Sequence, residues 1–404
     1  MRYMKLGMKA AVGIAMAGIA LVPWVGLQAE EAPLLVKIGI LRQPTPKQTI
    51  SLLDIPPDDE GFAGARLATE DNNSTGKFTN QSYVLTDAKI STDDDPLPAL
   101  EKLADAGVRL VIADLPADKL LKIADAGRER GMVLFNAGAI DDSLREADCR
   151  ANVFHTAPTR SMLAEGLAQY LVWKKWRKWL LITGSHPEDL LLAEAYRHAA
   201  KKFGAKIVEE RSFVDLGGGR RSDSGSVQIQ RQMPVLTQSA PDHDVLIAAD
   251  ENEVFAGYLP YRTWDAKPVA GSAGLKPVSW DITHEQWGAA QLQNRFIKMF
   301  SRRMTARDSQ AWTAMRMIGE GASRVKTADP ATIRDFLRGK EFSVAAFKGQ
   351  KLTLRDWNQQ LRQPILLGDG RMIVSVSPQE GFLHQVSELD TLGVDRPETT
   401  CKLQ

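Results

Sequence analysis

The chain has 404 residues, of which 44% are hydrophobic and 25% charged, a composition that excludes a disordered or fibrous protein. A chain of this length usually exceeds a single compact core, so the sequence predicts two domains. Its formal charge of +1 lacks the basic excess of nucleic-acid binders, and we therefore expect no nucleic acid as a partner.

Residues 1–29 have the features of a secretory signal peptide. Three basic residues precede an apolar run over 10–27, and a small residue, Ala29, stands before two glutamates. This pattern predicts export and cleavage near Ala29, with a single anchoring helix as the alternative. Removing the segment leaves 48 basic against 50 acidic residues, a net charge of −2.

Beyond the signal, apolar runs and helical periodicities alternate, which predicts an α/β fold with parallel, doubly wound sheets. A first unit is predicted from strands at 34–41, 82–90, 108–115 and 132–139, with helices at 59–72, 96–107 and 117–131. The pattern then restarts, with strands at 152–158, 178–184, 206–214, 243–250 and 267–274 and helices at 162–176 and 185–204. Later helices are predicted at 285–303, 309–325 and 332–339, and later strands at 351–357, 363–369 and 371–378.

Two strands of the predicted units have nearly the same sequence. "LVIAD" at 110–114 corresponds to "LIAAD" at 246–250, and each apolar run stops at an aspartate. Ligands of open parallel sheets bind beyond the carboxyl ends of the strands. Asp114 and Asp250 are therefore expected at the two walls of one cleft.

No catalytic motif accompanies this architecture. The sequence has no G-x-S-x-G turn, no H-E-x-x-H pair and no phosphate-binding G-x-x-x-x-G-K-[ST] loop, so we expect a protein that is not an enzyme and has no cofactor. Ser185 to Glu188 predict a capping box in which Ser185 caps the helix. Acidic clusters such as 250–253 either bind a hard cation or cap helices, and the sequence leaves a metal site open.

The two cysteines, Cys149 and Cys401, are most simply one disulfide in an exported chain. The alternative is two buried free thiols. A disulfide would tie the C-terminal tail to the middle of the chain.

Several stretches together resemble the type I periplasmic solute-binding proteins of ABC importers, in particular the leucine/isoleucine/valine-binding branch. They are the first strand "VKIGIL", the "VIADL" strand and the helix "DSQAWTAMRMIGEGASR", where Trp312 takes the place of a family tyrosine. The resemblance implies two Rossmann-like lobes joined by a multi-crossing hinge, a monomer in the periplasm, and an ABC permease as the membrane partner. The implied division is 34–155 plus 281–345 for lobe 1, 156–280 plus 346–378 for lobe 2, and 379–404 for a tail.

Two further stretches, 144–156 and 368–401, resemble a subfamily associated with pyrroloquinoline-quinone (PQQ)-dependent alcohol dehydrogenase systems. That resemblance implies a pathway rather than a ligand. The alternative is a non-transport accessory or sensor protein of the same pathway, with a metal or metal complex as one possible ligand.

The sequence departs from the amino-acid-binding branch at the positions that hold the ligand. Pro116-Ala117 and Ala139-Ile140 stand where the branch offers hydroxyls to a carboxylate, and Ala273 stands where it offers a glutamate to an ammonium. A buried carboxylate and ammonium need such partners, so we expect poor binding of leucine-type amino acids. The polar residues left at the expected cleft, and hence the predicted ligand-binding set, are Gln43, Asp114, Asn136, Asp141, Ser185, His186, Asp250 and Glu251.

Overall fold

Strands and helices alternate along the chain as the sequence predicts. The computed structural model describes residues 32–44, 55–217 and 222–403. The predicted signal peptide, residues 1–29, lies outside the described residues. From Pro33 onward, the described residues form one compact unit.

The first sheet has five parallel strands in the order β2-β1-β3-β4-β5. The central strands β3 and β4 are short and buried along their whole length because helices cover both faces of the sheet. The strands are β1 (Leu34–Arg42), β2 (Gln81–Lys89), β3 (Leu110–Asp114), β4 (Val133–Asn136) and β5 (Val153–His155). The connecting helices are α1 (Phe62–Thr79), α2 (Leu97–Asp105) and α3 (Ala117–Glu129).

The second sheet repeats this plan with four parallel strands in the order β7-β6-β8-β9. Its strands are β6 (Lys178–Thr183), β7 (Lys206–Ser212), β8 (Val245–Ala249) and β9 (Val269–Gly271). Its helices are α4 (Arg160–Trp173), α5 (Pro187–Phe203), α6 (Asp223–Thr237) and α7 (Leu259–Arg262). Strand β3 lies beside β1 as β8 lies beside β6, so the predicted correspondence of 110–114 with 246–250 is confirmed.

The remaining elements pack around the two sheets. They are helices α8 (Ala289–Phe300), α9 (Ala306–Val325) and α10 (Pro330–Arg338), and strands β10 (Lys276–Val278), β11 (Val344–Ala345), β12 (Lys351–Leu352), β13 (Ile365–Gly368) and β14 (Ile373–Ser377). The predicted strand at 351–357 is wrong beyond Leu352, because the chain turns back so that Leu354 pairs with Leu361. No helix within the described ranges is long and apolar enough to cross a bilayer.

The chain crosses three times between the cores of the two sheets. The first crossing follows β5, the second follows β10, and the third lies between Leu361 and Ile365. The lobe boundaries inferred from the sequence stay a prediction. The packing differs from them at one place. The sequence places 346–378 in lobe 2, but Ala346 and Leu352 pack in the first core, because β12 pairs with β11 there.

The C-terminal tail is held to the body of the protein, as the predicted disulfide requires. Cys149 and Cys401 are bonded, with Cα atoms 5.7 Å apart, and the Thr400 amide donates to Glu146 beside them. Farther back in the tail, the buried carboxylate of Asp390 accepts from Arg355 Nε at 2.9 Å. The tail therefore has little secondary structure but fixed contacts.

Replacing both Cys149 and Cys401 by serine removes a crosslink across 252 residues of chain. We expect the free energy of unfolding to fall by about 2–5 kcal/mol, because the unfolded chain regains loop entropy. Urea unfolding of the variant, beside the oxidised and the reduced wild-type protein, measures this. The reduced wild type should match the variant; equal midpoints for all three proteins would contradict a stabilising role.

Candidate functional site: a cavity between the ends of two parallel sheets

A cavity of about 1080 Å³ lies where the carboxyl ends of both sheets meet. From the first sheet it is lined by Gln43 after β1, residues 115–118 after β3 and residues 138–141 after β4. From the second sheet it is lined by His186 after β6, Asp215 after β7 and residues 251–252 after β8. This is the position at which ligands of doubly wound sheets bind.

Arg160 connects the two sides of this cavity. Its guanidinium donates to both oxygens of Glu251, from Nε and Nη2, each at 2.7 Å, and its Nη1 donates to Asp141 Oδ1 at 2.8 Å. Burial disfavours the charge of Arg160, but the hydrogen bonds and charges of Glu251 and Asp141 outweigh it and hold its pKa above the ordinary value. We call these three residues the Arg160 clasp. The sequence predicted both carboxylates but missed the arginine.

The clasp pairs two carboxylates of the predicted ligand-binding set. Asp141 and Glu251 belong to that set, yet they already share the charge of Arg160. The cavity lining nevertheless remains richer in carboxylates than in guanidinium groups. Its carboxylates belong to Glu60, Asp118, Asp141, Glu188, Asp215 and Glu251, and its guanidinium groups to Arg160 and Arg307.

Asp114 is buried below the cavity rather than among its lining residues. Its carboxylate pairs with Arg307 at the start of α9 and packs against the backbone of Gly61 and Gly138. A Cβ at Gly138 would lie 2.4 Å from Asp114 Oδ1, so only glycine leaves room for this carboxylate. Burial raises the pKa of Asp114, and Arg307 opposes that shift.

Asp250 holds its own turn together. It is 0% exposed, and its two oxygens accept the backbone N–H groups of Val254, Phe255 and Ala256 at 2.7–2.8 Å. Its backbone N–H donates to Ser272 Oγ at 2.9 Å. The structure therefore places Asp250 behind the lining and its neighbour Glu251 in front of it.

The helix start after β6 differs by one residue from the predicted capping box. His186, not Ser185, is the N-cap of α5, and its N–H donates to Asp189 Oδ2 at 3.1 Å. Ser185 is exposed, and its Oγ accepts the N–H of Asp215. The ring of His186 is 3.0 Å from Asp215 Oδ2, and that hydrogen bond raises the pKa of His186.

Asn136 and Arg145 shape the cavity wall from behind. Asn136 is 0% exposed and fixes the turn after β4 by accepting the Ala139 N–H at 2.9 Å. Arg145 is buried among neutral acceptors, with hydrogen bonds to the carbonyls of Ala139, Asp141 and Ala157. Burial lowers the pKa of Arg145 to about 10. The sequence missed this residue, which ties two wall segments to the first crossing.

Gln43 lines the cavity, and its buried side-chain oxygen is unpaired among the described residues. The residue is 7% exposed, and its Oε1 has no hydrogen-bond partner within the described parts of the chain. A buried carbonyl oxygen without a donor costs free energy, which a ligand's donor would recover. Of the eight predicted site residues, the structure brings Gln43, Asp141, His186 and Glu251 to the cavity surface.

Over the ranges 32–44, 55–217 and 222–403, no three His, Cys, Asp or Glu side chains form a group that could hold a metal ion.

Comparisons with known proteins agree with this geometry. A family model described as a periplasmic binding protein matches residues 59–230. A substrate-binding protein of an ABC transporter from Sphaerobacter thermophilus superimposes with a TM-score of 0.69 at 15% identity, covering 85% of this chain and 98% of that one. The chain has the type I periplasmic binding protein fold.

Other proteins with this fold bind amino acids. A leucine-, isoleucine-, valine-, threonine- and alanine-binding protein from Brucella ovis matches with a TM-score of 0.63 at 13% identity, over 83% of this chain and 89% of that one. A branched-chain amino acid binding protein from Streptococcus pneumoniae, solved with isoleucine, matches with a TM-score of 0.62 at 13% identity, over 85% and 99%. A search among curated proteins finds no match.

Replacing Arg160 by methionine should cost about 2–4 kcal/mol of unfolding free energy, because it leaves two carboxylates without their cation. The cost is below that of a fully buried pair, since the side chains of Asp141 and Glu251 are 26% and 25% exposed. Urea unfolding measures it. Adding Asp141→Asn and Glu251→Gln to Arg160→Met should recover most of the loss; a single variant as stable as the wild type would contradict the clasp.

Proposed function

We propose that the protein is the periplasmic solute-binding component of an ABC importer. It captures a small ligand in the cavity between the two sheets and delivers it to a permease in the inner membrane. The observation that carries this proposal is the meeting of strand ends from both sheets, β1, β3 and β4 with β6, β7 and β8, in one cavity. Binding proteins of this kind close over a ligand by rotation about their crossing segments.

The ligand is a neutral or cationic molecule with several hydrogen-bond donors, such as a polyol or an amine. The two guanidinium groups of the lining already have carboxylate partners, Arg160 in the clasp and Arg307 with Asp114. A ligand carboxylate would have to compete with these pairs. Donors of the ligand would instead meet the free oxygen of Gln43 and the excess carboxylates of the lining.

The same cavity disfavours leucine-type amino acids. Pro116, Ala117, Ala139 and Ile140 line it, and none of their side chains donates a hydrogen bond. They stand where the amino-acid-binding branch offers hydroxyls. We therefore expect this protein to bind leucine-type amino acids poorly.

We further propose a link to PQQ-dependent alcohol oxidation. Its support is the resemblance of residues 144–156 and 368–401 to the subfamily found with such systems. These two stretches are joined by the disulfide between Cys149 and Cys401. Alcohols, aldehydes and acids of that pathway, and PQQ itself, therefore belong in the ligand screen.

Thermal unfolding against a ligand panel tests the proposal. The panel contains polyols, diamines, short alcohols and aldehydes, acids, PQQ, calcium, lanthanum and leucine. A true ligand at a hundredfold excess over its dissociation constant should add about 2.7 kcal/mol of stability. We expect a shift with a donor-rich neutral or cationic compound and none with leucine; a clear shift with leucine would refute the ligand class.

The variant Gln43→Leu should lose most of the ligand-induced shift, because it removes the unpaired acceptor in the cavity. Gln293→Leu is the matched control: Gln293 is also buried with an unpaired Oε1, but it does not line the cavity. Equal shifts in both variants would exclude Gln43 as a ligand contact.

Uptake of the ligand by a strain that lacks the protein separates the two roles. If the purified protein binds the ligand but the strain takes it up as fast as the wild type, an accessory or sensor role is favoured.

A further inference from the structure

A second cavity lies apart from the first and shares no lining residue with it. Its volume is about 400 Å³. It opens to solvent and is lined by Trp287, the turn 348–350 between β11 and β12, the end of β14 and the tail at 387–389. Nothing in the proposed solute-binding function uses this space.

The one buried cation of this cavity is Lys348, which is 4% exposed. Its Nζ donates to Gln363 Oε1 at 2.6 Å, and the next acceptor, the Pro364 carbonyl, is at the long distance of 3.5 Å. An ammonium has three N–H donors, so at least one of them has no acceptor within the described ranges. Burial of this amine lowers the pKa of Lys348 to about 7.

The charged groups around Lys348 leave its charge without a buried counter-ion. Within the described residues, no carboxylate contributes to the pKa of Lys348, which burial alone lowers. Glu388 lines the same cavity but is exposed, so water screens its charge. His284 donates from Nε2 to the Phe347 carbonyl at 2.8 Å, and burial lowers the pKa of its ring, which is therefore neutral at pH 7.

One part of the lining is apolar and tightly packed. Trp287 has a left-handed backbone, with φ of 53°, and its indole lies on Gly349. A Cβ at Gly349 would come within 2.7 Å of the indole ring. Bulky residues in this backbone region are rare, and such strain concentrates at binding sites. Pro364 and Pro378 add to this apolar part, and the rest of the lining is polar, with Gln350, Ser377 and Ser387.

We propose that this second cavity binds a small carboxylate with an apolar body. The carboxylate accepts from the amine of Lys348, and the body packs against Trp287, Pro364 and Pro378. An anion accepts the unused N–H and also supplies a counter-charge, whereas a neutral acceptor would satisfy the N–H alone. Because Gln363 also donates to the Thr156 carbonyl at 2.7 Å, the site contacts the first crossing between the sheets.

Nuclear magnetic resonance of the full-length mature protein, with ¹³C at lysine Cε, tests the proposal. Benzoate is the probe, and benzamide is its neutral control. Benzoate should raise the pKa of Lys348 from about 7 toward the ordinary lysine value, because a nearby anion favours the ammonium. Benzamide should leave it unchanged. The signal is assigned by its absence in Lys348→Met.

Variants give a second readout by calorimetric titration with benzoate. Lys348→Met should weaken binding by roughly tenfold or more, since the charge that favours the anion is gone. Glu388→Gln should bind at least as tightly as the wild type, and Gln43→Leu should bind equally, because it belongs to the other cavity. An unchanged Lys348 signal at saturating millimolar benzoate, or equal affinity in Lys348→Met, overturns the proposal. If that variant fails to fold, the wild-type titration alone decides.

Discussion

The arrangement of the main cavity depends on one buried guanidinium. Arg160 stands at the start of α4, between the turn after β4 and the turn after β8, and joins Asp141 and Glu251 from both sides. Two carboxylates so near each other repel, and burial raises the cost of their charges. The arginine removes both costs and fixes the two turns at one distance. The supporting residues Arg145 and Asp250 hold those turns from behind through backbone groups.

Much of the fold could be predicted from the sequence because apolar periodicity directly reports burial. The repeated "LVIAD" and "LIAAD" runs identified equivalent strands, and the structure places them at equivalent positions beside β1 and β6. The two-residue strands β11 and β12 have no period to detect. The strand predicted at 351–357 is therefore too long, because the chain turns back after Leu352.

The site was only partly predictable, because strand ends give positions but not side-chain directions. Asp250 and Glu251 are neighbours, yet one caps its own turn and the other lines the cavity. Arg160 lies 91 residues from its partner Glu251, a separation that no local pattern reveals. The sequence did contain one signal for Arg160. A cation in the first turn of a helix interacts unfavourably with the helix dipole, so a carboxylate partner is expected for it.

The two cavities differ in charge and therefore in the ligands that suit them. In the main cavity, Arg160 and Arg307 pair with carboxylates of the protein, whereas Lys348 in the second cavity has no carboxylate partner among the described residues. Behind the main cavity, Arg145 donates to the Ala157 carbonyl, and beside Lys348, Gln363 donates to the Thr156 carbonyl. Both proposed sites therefore contact the first crossing between the sheets.

The central claim is that the Arg160 clasp sets the separation of the two sheets across the main cavity. Electron–electron double resonance between spin labels at the exposed positions Asp118 and Glu188 measures this separation directly, with the native disulfide left intact. With Arg160 present, the account predicts one narrow distance distribution; in Arg160→Met, it predicts a longer and broader one. Superimposable distributions in the two proteins would contradict it.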